Sequence, residues 1–173
     1  TETNGGIISI CILDRDYYPD ELLQKKLDMA EENHLCLHIW QKKEIENYII
    51  IPTALFRITK QKIENYNCFL HEFEKIVDEY KDEVTDQIAQ HIFENDRSLA
   101  MPTCNERARK IINQRWICLD NKLAMVCGKD LIKKINHWMR EKYNISCSID
   151  KIIRELQPEE INCEIVKVFE LIS

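Results

Sequence analysis

The run Ile7-Ile8-Ser9-Ile10-Cys11-Ile12-Leu13 stops abruptly at Asp14-Arg15-Asp16, and this junction constrains the fold more than anything else in the chain. β-branched side chains dominate the run and no helical period fits it, so residues 7–13 read as a buried strand. Pro19-Asp20-Glu21 then opens a helix, with Asp20 as N-cap and Leu22, Leu23, Lys26, Leu27 and Ala30 along one face. Leu35 to Trp40 reads as a second strand. Strand, helix and strand with short connections make a βαβ unit, hence a parallel pair with a right-handed crossover. In open parallel sheets, sites form beyond the carboxyl ends of the strands. Asp14 and Asp16 follow the first such end, and Glu44 and Glu46 follow the second.

Carboxylates at i and i+2 on a strand end project to one side. They can hold a hard divalent cation while leaving positions for water and a substrate phosphate. Glu44 and Glu46, arriving from the second strand, could converge on the same ion. A plainer role stands beside this one. Asp, Glu and Asn commonly cap turns and helices, in which case Glu46 and Asn47 cap a short helix and Tyr48 packs in the core.

Beyond Pro52 the pattern is helical. Ile63, Tyr66, Leu70, Phe73, Val77, Tyr80, Val84, Ile88 and Ile92 recur at threes and fours, as one long amphipathic helix or two in series. The charge run from Glu72 to Glu83 reads as its solvated face. A loop around 95–105, holding Pro102, precedes helices expected over 106–116, 129–143, 148–156 and 158–172. Only three Gly and four Pro in 173 residues agree with long, uninterrupted elements.

Charge limits the partners. A net charge of −6 ill suits a protein that grips nucleic acid by its surface alone, because phosphate contacts supply most of that affinity. The eight Cys form no CxxC pair, which argues against a zinc ribbon, and Cys11, Cys36 and Cys68 sit in apolar patterns as small hydrophobes. The five His are scattered, and His34 and His38 fall across a helix-to-strand transition rather than on one helical face. Trp40, Trp116 and Trp138 are expected core anchors, while Tyr17 and Tyr18 are placed to line a substrate groove. Cysteines used in this way point to a reducing compartment, and with no apolar run long enough for a membrane span a cytoplasmic setting is expected. The chain lacks an initial Met and its first strand starts within ten residues, as a piece of a longer protein would.

DRDYY at 14–18 followed by EIENY at 44–48 resembles the Toprim nuclease domain of the overcoming-lysogenization-defect (OLD) family and related ATPase-coupled nucleases. The likeness is best over residues 7–55 and thinner around Cys127-Gly128-Lys129-Asp130. It implies an α/β fold: a partial Toprim-like parallel sheet in residues 1–55, then a mainly helical extension over 56–173. It further implies Mg²⁺- or Mn²⁺-dependent phosphodiester cleavage in an antiphage setting, with nucleic acid, chiefly DNA, as substrate and an ATPase domain in cis or as partner. Asp14, Asp16, Glu46 and alternatively Glu44 become the metal ligands, and Lys129, with Glu46, a catalytic residue. The family's further Glu, on an earlier strand, has no counterpart, since Glu2 lies in a short polar tail. The isolated chain is therefore expected to bind cations weakly and to cleave little. Two other readings remain: a non-catalytic Toprim-like or helical interaction module, and a phosphatase of the haloacid dehalogenase type, whose DxD also follows a strand.

Overall fold

The computed structural model describes residues 10–59, 62 and 65–172. Within them β1 (Ile10–Leu13) and β2 (Cys36–Ile39) pair in parallel, Ile10 opposite Cys36 and Leu13 opposite Ile39, with α1 (Asp20–Glu32) between them in the chain. Residues 7–9 of the expected first strand lie outside the described residues. Asp20 is not the cap: Pro19 takes that place, and Asp20 and Glu21 occupy the first turn, where carboxylates meet the positive end of the helix dipole.

β1 is not the buried strand its composition suggests. Ile12 and Leu13 are 39% and 37% exposed, and Cys11 is exposed as well. α1 packs chiefly against β2, so a two-stranded sheet with a single helix leaves the β1 side chains in contact with solvent.

A 3-10 helix (Ile45–Tyr48) follows β2. Then come α2 (Pro52–Ile58), α3 (Tyr66–Asp78), α4 (Lys81–Asn95), α5 (Met101–Arg115), α6 (Leu119–Met125), α7 (Gly128–Tyr143) and α8 (Ile149–Glu155). A 3-10 turn (Pro158–Glu160) and α9 (Cys163–Ile172) complete the described residues. The fold is mostly helical with a small parallel sheet, and α2 runs across position 55, where the two expected parts meet. From Tyr66 the long periodic stretch is two helices, α3 and α4, broken at Glu79-Tyr80, and Ile63, with which the expected stretch began, lies outside the described residues. Pro102 lies not in a loop but in the first turn of α5, where its missing N–H has no helical partner to lose. Pro158 begins only the 3-10 turn, and α9 starts afresh at Cys163.

The main core is helical. Phe69, Phe73 and Val77 of α3 and Leu131, Ile135 and Met139 of α7, each set spaced by four, are fully buried with Leu55 of α2 and Ile152 of α8. Trp116 and Trp138 pack at its margin, whereas Trp40 joins Tyr48 and Val168 in a second, smaller cluster. The Tyr48 hydroxyl donates to the Glu164 carboxylate, which also accepts from the Gln41 amide at 3.0 Å, so α9 is tied to the end of β2. All eight cysteines are free, but the buried ones are Cys104 and Cys147; Cys11 and Cys68 are exposed and Cys36 half-buried. No helix among the described residues is long and apolar enough to cross a membrane.

Arg57, in the last turn of α2, joins α2 to the end of α8. Its Nε donates to the Glu155 carbonyl at 3.0 Å and its Nη1 to Glu160 Oε1 at 3.0 Å, and the Thr53 hydroxyl donates to the same carboxylate. The guanidinium holds the Glu160 carboxyl down to about 2. A carboxyl depressed in this way stabilises the fold above its ordinary range, and the contribution fades as pH falls through about 2. Glu160→Gln is expected to cost about 1–2 kcal/mol at pH 7. That difference should shrink between pH 4.5 and about 2, as followed by urea denaturation at stepped pH.

Candidate functional site

The 3-10 helix after β2 is where the parts meet. Glu44 is its N-cap, and a reciprocal capping box links Glu44 with Asn47. The Asn47 side chain is fully buried: its Oδ1 accepts from the Glu44 amide at 2.8 Å, and its Nδ2 donates to the Leu123 and Val126 carbonyls at 2.7 and 2.8 Å. One amide therefore joins the loop after β2 to the end of α6. The capping alternative is partly realised here, through Glu44 and Asn47 rather than Glu46, and Tyr48 does pack in the core.

Gly128 opens α7 against this turn. A Cβ at Gly128 would stand 2.9 Å from the Glu46 Cβ and 3.0 Å from the Asn47 amide nitrogen, so only glycine lets the helix start so close. Glu44 reaches across the same junction. Its Oε1 accepts from the Cys127 thiol at 3.3 Å and its Oε2 from the Lys129 amide at 3.3 Å. Burial and this carboxylate together push the Cys127 thiol up to about 11, so it is a protonated donor at neutral pH.

The approach carries Lys129 into the acidic group. Its Nζ lies 3.8 Å from Glu46 Oε1, and Glu46, Glu44 and Asp14 all raise its pKa. Glu46 Oε2 is buried without a hydrogen-bond partner. Asp14 has its carboxyl raised, first by partial burial and then by the charges of Glu44, Asp16 and Glu46, with Lys129 opposing them. Glu44, Glu46 and Lys129 thus gather beyond the carboxyl end of β2, and Asp14, which follows β1, is near enough for their charges to act on it.

Asp16 departs from the strand geometry. Its φ is +47°, a left-handed conformation that Asp tolerates better than most residues, and its amide donates to the Lys43 carbonyl at 3.4 Å. The two-residue period of β1 therefore does not extend to Asp16. It instead lines a cleft with Tyr17, Tyr18 and His91. Tyr17 is pinned there, donating to the Met125 carbonyl at 2.8 Å and accepting from Lys43 Nζ at 2.9 Å. Lys43 was not singled out from the sequence; only its place between β2 and EIENY marked it, and it is 7% exposed.

Among the described residues, no group of three or more His, Cys, Asp or Glu side chains is arranged to hold a metal ion. Mg²⁺ commonly binds through one or two carboxylates plus waters and substrate phosphates, so a smaller donor set suits it. Asp14, raised first by partial burial and then by its acidic neighbours, and the orphaned Glu46 Oε2 are groups whose charge and unmet acceptor capacity a cation would satisfy. Glu44 has less to offer, since α7 engages both its oxygens.

Two outcomes are expected. Gly128→Ala should cost about 1–3 kcal/mol in denaturant unfolding, because a backbone amide and a Cβ cannot yield to the added methyl. In an NMR titration of the Asp14 carboxyl carbon, Lys129→Ala should move the midpoint further up and Glu46→Gln should move it down. No family profile, curated protein or solved structure matches this chain.

Proposed function

We propose that this chain supplies the carboxylates and the lysine of a divalent-cation-dependent site that cleaves phosphodiesters, as the Toprim-like part of a larger, ATPase-linked cytoplasmic protein of antiphage defence. The observation that carries the reading is the approach of Lys129 in α7 to Glu46 in the 3-10 helix at 3.8 Å, with Asp14 at the end of β1 near enough for its charge to act on Lys129. Residues so far apart in sequence gather at the end of a parallel sheet where sites form. Asp14 and Glu46 are the residues that would hold Mg²⁺ or Mn²⁺, while Asp16 lines the neighbouring cleft with Tyr17 and Tyr18. Such an ion would supply activation of water and neutralisation of charge at the leaving oxygen. Lys129 presents a cation to a phosphoryl oxygen as negative charge grows there. Glu44 positions: it fixes the start of α7 through Cys127 and the Lys129 amide. A non-catalytic interaction module is the second reading, favoured by the engagement of Glu44 and Asn47 in capping.

Single-turnover cleavage in the full-length protein with saturating Mn²⁺ separates the two. Lys129→Ala should slow cleavage about 100- to 1,000-fold, the usual effect of losing one preorganised charge. Lys133→Ala should do little, because Lys133 lies one turn further along and pairs with Asp130 at 2.8 Å. Equal rates in the two variants, or no cleavage by the unaltered protein, would overturn the nuclease reading.

A further inference from the structure

We infer that α9 is a strap on the acidic loop after β2, fastened by the Glu164 carboxylate, so that α9 and the ends of that loop, Gln41-Lys42 and Tyr48, come loose together. The inference rests on the nuclease reading for the role of the loop, which carries Glu44 and Glu46, and adds how its order is regulated.

Glu164 is buried and binds both ends of the loop. Its Oε1 accepts from the Gln41 amide at 3.0 Å, and its Oε2 accepts from the Tyr48 hydroxyl. That hydroxyl in turn accepts from the Gln41 and Lys42 amides at 3.0 and 3.1 Å. Lys42 closes the loop further, its Nζ donating to the Asn47 carbonyl at 3.0 Å. Burial and the hydrogen bond to Glu164 raise the Tyr48 pKa, so its hydroxyl remains a donor. His38 Nε2 of β2 also stands 3.1 Å from Glu164 Oε1. A buried carboxylate is tolerated only with such partners, and these all belong to β2 or to the loop that follows it.

Little else holds α9. Of residues 163–171 only Glu164 and Val168 are buried, and Val166, Phe169 and Leu171 are exposed. Val168, with Ile165, packs on Trp40 and Tyr48 in a cluster separate from the main core. A unit with so few buried contacts opens locally, at a fraction of the free energy of global unfolding. Opening takes Glu164 away from Gln41 and Tyr48. Asn47 still anchors the middle of the loop to α6, so the ends loosen first. The coupling is reciprocal: whatever orders the loop, a cation on Glu46 included, tightens the strap.

The test is amide hydrogen exchange of the nitrogen-15-labelled 173-residue chain, followed by NMR in EDTA. Glu164→Gln leaves one acceptor oxygen where the carboxylate uses two. It should speed exchange of the Gln41, Lys42 and α9 amides by a common factor of about 10- to 100-fold. Val168→Ala touches no amide of the loop, yet should speed the same set together. Lys167→Ala, on the exposed side of α9, should change none of them. The Phe73 and Ile135 amides of the main core should keep their rates in every variant. Faster exchange in α9 without Gln41 and Lys42 would overturn the inference. So would core amides that follow α9, because the helix would then open only with the whole fold. Saturating Mg²⁺ should slow the Gln41, Lys42 and α9 amides together in the unaltered chain but not in Glu46→Gln. Absence of that slowing would count against the cation site alone, since the rates in EDTA decide the strap.

Discussion

The fully buried amide of Asn47 is the interaction on which the arrangement depends. It accepts from the Glu44 amide and donates to two carbonyls at the end of α6. Three polar groups would lack this partner without it, and a buried unmet donor or acceptor costs about 1–3 kcal/mol. A residue of another shape could not serve both sides. The consequence is geometric: the turn carrying Glu46 is held against the segment that leads into α7. Gly128 then permits an approach that any side chain would block, and Lys129 arrives beside Glu46.

The electrostatics follow from that placement. At the strand ends the Asp14 carboxyl is raised first by partial burial and then by the charges of Glu44, Asp16 and Glu46. Lys129 offsets part of it and keeps its own proton more firmly as a result. The balance is incomplete, because Glu46 Oε2 has no hydrogen-bond partner. A small fold tolerates such groups when they are held by stronger contacts nearby, which here are the capping box and the Glu44 contacts to α7.

β1 shows the limit of reading burial from composition. Its side chains are as apolar as those of a central strand, yet Ile12 and Leu13 face solvent because α1 lies chiefly on β2. Similarly, Cys68 sits in an apolar pattern but on the outer side of α3, whereas Cys104 and Cys147 are the buried thiols. Hydrophobicity says that a residue can be buried, and packing partners decide whether it is.

The sequence by itself determined the order of the elements and the location of the acidic groups. The β-branched run, the helical period after it and the second apolar stretch specify a parallel β-α-β unit, and the carboxylates follow its strand ends. Helical periodicity likewise marked α3, α4 and α7, and Ser148 serves as the N-cap of α8, accepting from the Lys151 amide. These are local signals, carried by spacing and by the hydrogen bonds of neighbouring residues. Only the tertiary structure decided that Asp16 turns away in a left-handed conformation, that Glu44 is occupied by Cys127 and the Lys129 amide, and that Lys43 is buried against Tyr17. It also decided that Arg107, Lys110 and Arg115 share a cleft with Asp16. Each of these joins residues far apart in sequence, or turns the backbone at a single position, and no periodicity along the chain encodes which distant side chain will fill the space beside it.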